Sequence, residues 1–132
     1  MNLHSFSTAL LSVFFAASTF ALAPGERVDN FRLLDETGSS NELYYFSKTK
    51  AFVLMAHNSS CQNMQESVKA LASMQASYAD QGVEFMLINS DLRDDRSTIQ
   101  AAVADQNIAA PVLMDSTQII GESLGAMSAG DT

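Results

Sequence analysis

At 132 residues the chain has the size of one domain. Its 47% hydrophobic and 17% charged content supplies a packed core and excludes a disordered chain, while a net charge of −8 makes nucleic acid and anionic membrane surfaces poor partners. The single cysteine, Cys61, excludes an internal disulfide and leaves the redox compartment open.

Met1 to Ala23 contains no Asp, Glu, Lys or Arg, and Ala9 to Ala17 is an apolar run of signal-peptide length, too short to span a bilayer. Ala21-Leu22-Ala23 has the small-x-small form of a signal-peptidase site, so a secreted or periplasmic location is expected. An N-terminal helix packed on the domain, or a retained anchor, is the alternative. The positive n-region is reduced to the α-amino group and His4, and Pro24 follows the cut site directly. Composition turns polar from Pro24 to Arg27, which divides the chain into an apolar segment, 1–23, and a domain, 24–132.

Asn30 to Asp35 reads as a short strand, and Glu36 to Ser40 as a turn in which Gly38 supplies the permissive backbone. Leu43 to Phe46 is expected to pack on the core. Ala51 to His57 is nearly continuous in apolar residues and predicts a strand buried on both faces. Asn58, Ser59 and Ser60 suit a loop and a helix cap. Met64, Val68, Leu71, Met74 and Tyr78 then recur at three- and four-residue steps, as on one face of a helix, and Gly82 suits its end. Val83 to Asn89 predicts another interior strand, and Asp91 to Arg96 a charged, solvated loop. Asp94 or Asp95 can cap a second helix with Ile99, Ala102 and Val103 on its apolar face. Ala110 to Asp115 is a third short strand, Gln118 to Leu124 a last helical turn ending at Gly125, and Ser128 to Thr132 a frayed end.

This order predicts an α/β fold with a parallel sheet and right-handed crossovers, in which ligands collect at the carboxyl ends of the strands. Cys61 falls at one such end. In the first turn of a helix, free N–H groups and the positive end of the dipole favour a thiolate, the reactive form of cysteine; the competing reading is a small buried hydrophobe. His57 at the strand end is a candidate proton acceptor or water holder, or a side chain with no catalytic part. Asn58 and Ser60 are candidate donors to an oxyanion, or simply shape the turn. Asn58-Ser59-Ser60 also fits an N-glycosylation sequon, a pattern common by chance. His57, Cys61 and Met64 together suit Cu(I) in ligand type, although Met64 also begins the apolar helix face.

From Val28 to Gly125 the chain resembles the thioredoxin-fold redoxins, specifically the alkyl hydroperoxide reductase and thiol-specific antioxidant (peroxiredoxin-like) family. The resemblance rests on Asp29-Asn30-Phe31 with Leu33, on Gly38, Leu43 and Lys50, and on Cys61 at the place of the family's reactive cysteine. Gly82 to Phe85, Asp94-Asp95-Arg96, Pro111 to Asp115 and Leu124-Gly125 complete it. It implies a thioredoxin-like three-layer fold with a mainly parallel central sheet. It also implies a thiol-dependent antioxidant oxidoreductase without cofactor, in which Cys61 attacks a peroxide or disulfide and an external thiol reductant resolves it. Several family features are replaced: Met64 stands where a thioredoxin-type site has its second cysteine, Asn58 where a peroxiredoxin has threonine, and Gln62 where proline commonly follows. Arg93 and Arg96 are the available stand-ins for the guanidinium that supports the thiolate. The family's usual C-terminal strands and helix are lacking, which predicts a truncated product, or an oligomer or partner chain covering the edge of the strand that leads to Cys61. A non-catalytic module that has kept the fold is the main functional alternative.

Overall fold

A computed structural model describes residues 22–23 and 25–126. The expected segment 1–23 and the expected frayed end at 128–132 lie almost wholly outside the described residues. Among the described residues five strands and three helices follow in order: β1 (Arg32–Leu34), β2 (Ser40–Glu42), β3 (Ala51–His57), α1 (Met64–Tyr78), β4 (Val83–Asn89), α2 (Arg96–Gln106), β5 (Val112–Met114) and α3 (Ile119–Leu124). A 3-10 turn over Leu43–Tyr45 joins the first hairpin to the main sheet.

β1 and β2 pair antiparallel around Gly38, whose φ of +90° is the left-handed turn conformation open to glycine. β3, β4 and β5 form a parallel sheet in that spatial order, with His57 beside Asn89 and Asn89 beside Met114. A single antiparallel bridge from Asp35 to Leu113 brings the hairpin to the β5 side. β3 therefore lies at the other edge, without a strand partner on its outer side among the described residues.

Two apolar layers cover the sheet. On one face Met64, Val68 and Leu71 of α1 and Ile99 of α2 pack with Met55, Phe85, Leu87 and Val112. On the other, Phe31, Leu43, Met86, Ile88 and Leu113 are joined by Phe46, Phe52, Leu54 and the α3 residues Ile120 and Leu124. Helix, sheet, then α3 with the hairpin connection make the expected α/β three-layer arrangement.

Three expectations are corrected by the packing. β3 is half-buried along most of its length and only Met55 and His57 are fully covered, because an edge strand is enclosed from one side only. Met74 and Tyr78 remain 40% and 45% exposed although they continue the apolar spacing of α1: of that face only Met64, Val68 and Leu71 are enclosed in the core. The helix itself stops at Tyr78, and Gly82 serves the next connection instead, its carbonyl accepting the Lys50 N–H at 2.7 Å.

Candidate functional site around Cys61

The chain leaves β3 at His57 and reverses in a turn closed by the Cys61 N–H on the Asn58 carbonyl, at 3.3 Å. The Asn58 side chain reinforces it, Oδ1 accepting the Ser60 N–H at 2.8 Å, a local bond for which asparagine is well shaped. The Cys61 carbonyl then accepts the Met64 N–H at 3.1 Å and leads into α1. The helix cap is Asn63, with no side-chain capping bond, so Cys61 lies two residues ahead of the cap and not in the first helical turn. Asn58 and the serines shape their own turn rather than the helix start. Cys61 is a free, half-buried thiol packed against the cluster of Met55, Met64 and Val68.

A second loop, between β4 and α2, braces this turn from the side. Asn58 Nδ2 donates to Asp91 Oδ2 at 2.6 Å, and the Ser59 N–H donates to Asp94 Oδ2 at 2.9 Å. Asn89 links the network to His57: its Nδ2 reaches His57 Nδ1 at 3.1 Å and Asp94 Oδ2 at 2.8 Å, while its Oδ1 accepts the Asp91 N–H at 3.0 Å. Parallel neighbours end at the same level, so the loops after β3 and β4 lie side by side. The bonds between them fix the cysteine turn to the sheet.

His57 is only 3% exposed. Burial lowers its pKa below the ordinary histidine value, and the nearby negative Asp94 offsets this only in part. Its Nε2 is buried with no hydrogen-bond partner among the described residues, as is the Ser59 hydroxyl. Asp91 is held far below the usual carboxylate range, chiefly by hydrogen bonds from the Arg93 side chain and backbone. That pair is short, 2.7 Å from Arg93 Nη2 to Asp91 Oδ2, with the guanidinium side chain 79% exposed.

The residues singled out in sequence thus fall into different settings. Cys61, His57 and Asn58 share one turn at the strand end. Ser60 is exposed and its N–H is engaged by Asn58. Met64 is buried at the start of α1 within the helix-side core. Arg93 is engaged by Asp91, and the Arg96 guanidinium lies over Gly38 in the hairpin turn. Among the described residues there is no group of three or more His, Cys, Asp or Glu side chains arranged to hold a metal ion. The sequence reading treated Asp91 to Arg96 as a solvated loop, whereas Asp91 and Asp94 are half-buried anchors of the cysteine turn. The signal that could have found them is their position just beyond a strand parallel to β3.

Comparison with known proteins adds two findings. The family model described as the AhpC/TSA family matches residues 24–131. Among solved structures, a hypothetical protein from Sinorhizobium meliloti 1021 superimposes with a TM-score of 0.70 at 24% identity, over 80% of this chain and 61% of that one. The thioredoxin domain of a thiol-disulfide oxidoreductase from Bacteroides vulgatus gives 0.69 at 15% identity, over 82% and 77%. A peroxidoxin, BcpB, from Mycobacterium tuberculosis gives 0.67 at 17% identity, over 76% and 64%. The chain thus spans about three-fifths of the Sinorhizobium protein's length. No curated protein matches the sequence. These likenesses establish the thioredoxin-like fold.

Proposed function

Since the chain belongs to the AhpC/TSA family, we propose that it is a redoxin-type thiol oxidoreductase with Cys61 as its nucleophile. The observation that carries this reading is the placement of the only cysteine: half-buried, at the carboxyl end of a parallel strand, in a turn anchored from the neighbouring loop. Family membership supports the thiol chemistry; reaction with peroxide is the finer part of the proposal. The ionised sulfur attacks the terminal oxygen of a hydroperoxide, the S–O bond forms as the O–O bond breaks, and the departing alkoxide takes up the proton released by the thiol. Sulfur is oxidised by two electrons, giving a sulfenic acid and an alcohol. One external thiol then displaces water to form a mixed disulfide, and a second releases Cys61 as its thiol, leaving the reductant as a disulfide.

External reductant is needed because the sequence has no second cysteine. Asn58 acts as the brace of the turn, both ends of its amide being engaged. Export belongs to the same proposal and rests on the composition of Met1 to Ala23. So does a partner at the open edge of β3.

Treating the full chain with a slight excess of hydrogen peroxide in the presence of a sulfenic-acid probe is expected to give one adduct, at Cys61, that is absent from Cys61→Ser. Failure to label folded wild-type protein would overturn the peroxide reading. If that protein also forms no mixed disulfide with a small disulfide reagent, the non-catalytic reading takes its place. That second reading is favoured by one observation, the buried Met64 at the position of the second cysteine of a thioredoxin-type site.

A further inference from the structure

His57 carries a feature that the reaction above does not use. Its Nδ1 lies 3.1 Å from Asn89 Nδ2, and the orientation of that amide is fixed by its other neighbours. Turning the amide over would set its oxygen against the Asp94 carboxylate and its N–H groups against the Asp91 N–H, so both existing bonds would be lost. Asn89 is therefore the donor and Nδ1 the acceptor, which places the imidazole proton on Nε2. Burial keeps the ring neutral against the attraction of Asp94. The result is a buried N–H donor with no acceptor among the described residues, in a side chain 3% exposed. Such groups are rare because an unmade buried hydrogen bond is costly.

The donor and the thiol lie on the same side of the sheet. Strand alternation puts Val53, Met55 and His57 on the face covered by α1, where Cys61 also packs. The closed turn from Asn58 to Cys61 returns the sulfur-bearing residue towards the end of β3. With Nδ1 engaged by Asn89 of β4, Nε2 is the ring nitrogen left without a partner among the described residues.

We propose that His57 is a catalytic hydrogen-bond donor, its Nε2–H meeting the hydroperoxide oxygen that is transferred to Cys61 and then the oxygen of the sulfenate, with Asn89 as the positioning residue that fixes the tautomer. The proposal rests on the redoxin reading. His57 transfers no proton: the thiol's proton goes to the departing alkoxide through solvent, and the N–H stabilises charge on oxygen. A small hydroperoxide is the fitting substrate class, because a buried donor selects an oxygen acceptor over the sulfur of a disulfide.

The test uses the full chain. In 15N-histidine-labelled wild type, with the His57 signals assigned through H57Q, NMR at pH 7 is expected to show the Nε2–H tautomer, and N89L a shift towards the Nδ1–H form. A wild-type signal from Nδ1–H or imidazolium overturns the proposal whatever the activity. In folded H57F, sulfenate formation with hydrogen peroxide is expected to slow by about tenfold or more, with iodoacetamide alkylation of Cys61 little changed and H57Q regaining part of the peroxide rate. Unchanged peroxide reactivity in H57F overturns this inference alone. Absence of sulfenate in wild type overturns the peroxide reading and this role together. If H57F does not fold, H57M against H57Q carries the same comparison.

Discussion

Within four residues the chain places a half-buried thiol and a rigidly held imidazole, and the state of the imidazole is set by its burial and its neighbours. His57 makes a sign prediction for stability. Its pKa is lowered in the folded protein by burial, with Asp94 opposing, while the unfolded chain titrates near about 6.5. Between the folded value and about 6.5 the unfolded state binds more protons, so stability must fall as pH falls through this window and level off below it. Asp35 and Asp91 also have depressed values, Asp35 because hydrogen bonds from Thr37, Asn41 and Ser39 outweigh its burial, and Asp91 chiefly because of Arg93. Their contributions are complete above the unfolded carboxylate value of about 3.9 and fade only below it. Melting temperatures measured from pH 7.5 to 5 are therefore expected to fall in wild type and to fall less in H57Q. Parallel curves for the two proteins would show that His57 is not the titrating group.

At the scale of elements, α1 shows how far a repeat can be trusted. Met64, Val68 and Leu71 meet the sheet, and the same spacing carried on to Met74 and Tyr78 reaches solvent. Periodicity defines a helical face, but tertiary packing decides how much of that face is covered. Leu71→Ala is accordingly expected to cost about 2–5 kcal/mol in urea unfolding, and Met74→Ala under about 1 kcal/mol. Equal losses would mean that the end of α1 is packed. The second helix was legible at its start, where of the two expected caps it is Asp95 whose Oδ1 accepts the Thr98 N–H at 2.8 Å; its end, at Asn107 in the left-handed conformation that asparagine tolerates, was not read. The start of α1 was less legible because Asn58, Ser59, Ser60 and Asn63 are all good capping residues, and sequence does not say which of them another loop will engage.

For the molecule as a whole, the edge of β3, unpaired among the described residues, is the feature with the largest consequence. A groove of about 280 Å³ runs beside it, lined by Phe52, Leu54, Ala56 and Ile88 with Val28 and Leu124. Seven residues of edge without Pro or a charged side chain can pair with another strand. Two such chains, each with a net charge of −8, repel one another. Self-association is therefore expected to rise with protein concentration and with salt from about 0.01 to 0.15 M, as the screening length falls from about 30 to 8 Å. Sedimentation velocity across that range tests this, and a monomer throughout would show that the edge does not recruit a second copy.

Sequence alone determined the order of the elements from β3 onward, the extents of β3 and β4, the parallel α/β class and the position of the single cysteine just beyond a strand end. These depend on local hydrophobic period, turn residues and spacing, which act over a few neighbours. Tertiary structure decided that β3 is an edge, that Cys61 precedes the helix cap, and that Asn89, Asp91 and Asp94 join Asn58, Ser59 and His57. Those relations bring together residues some thirty positions apart, and which side chains share hydrogen bonds is settled only when the ends of adjacent parallel strands come to lie side by side.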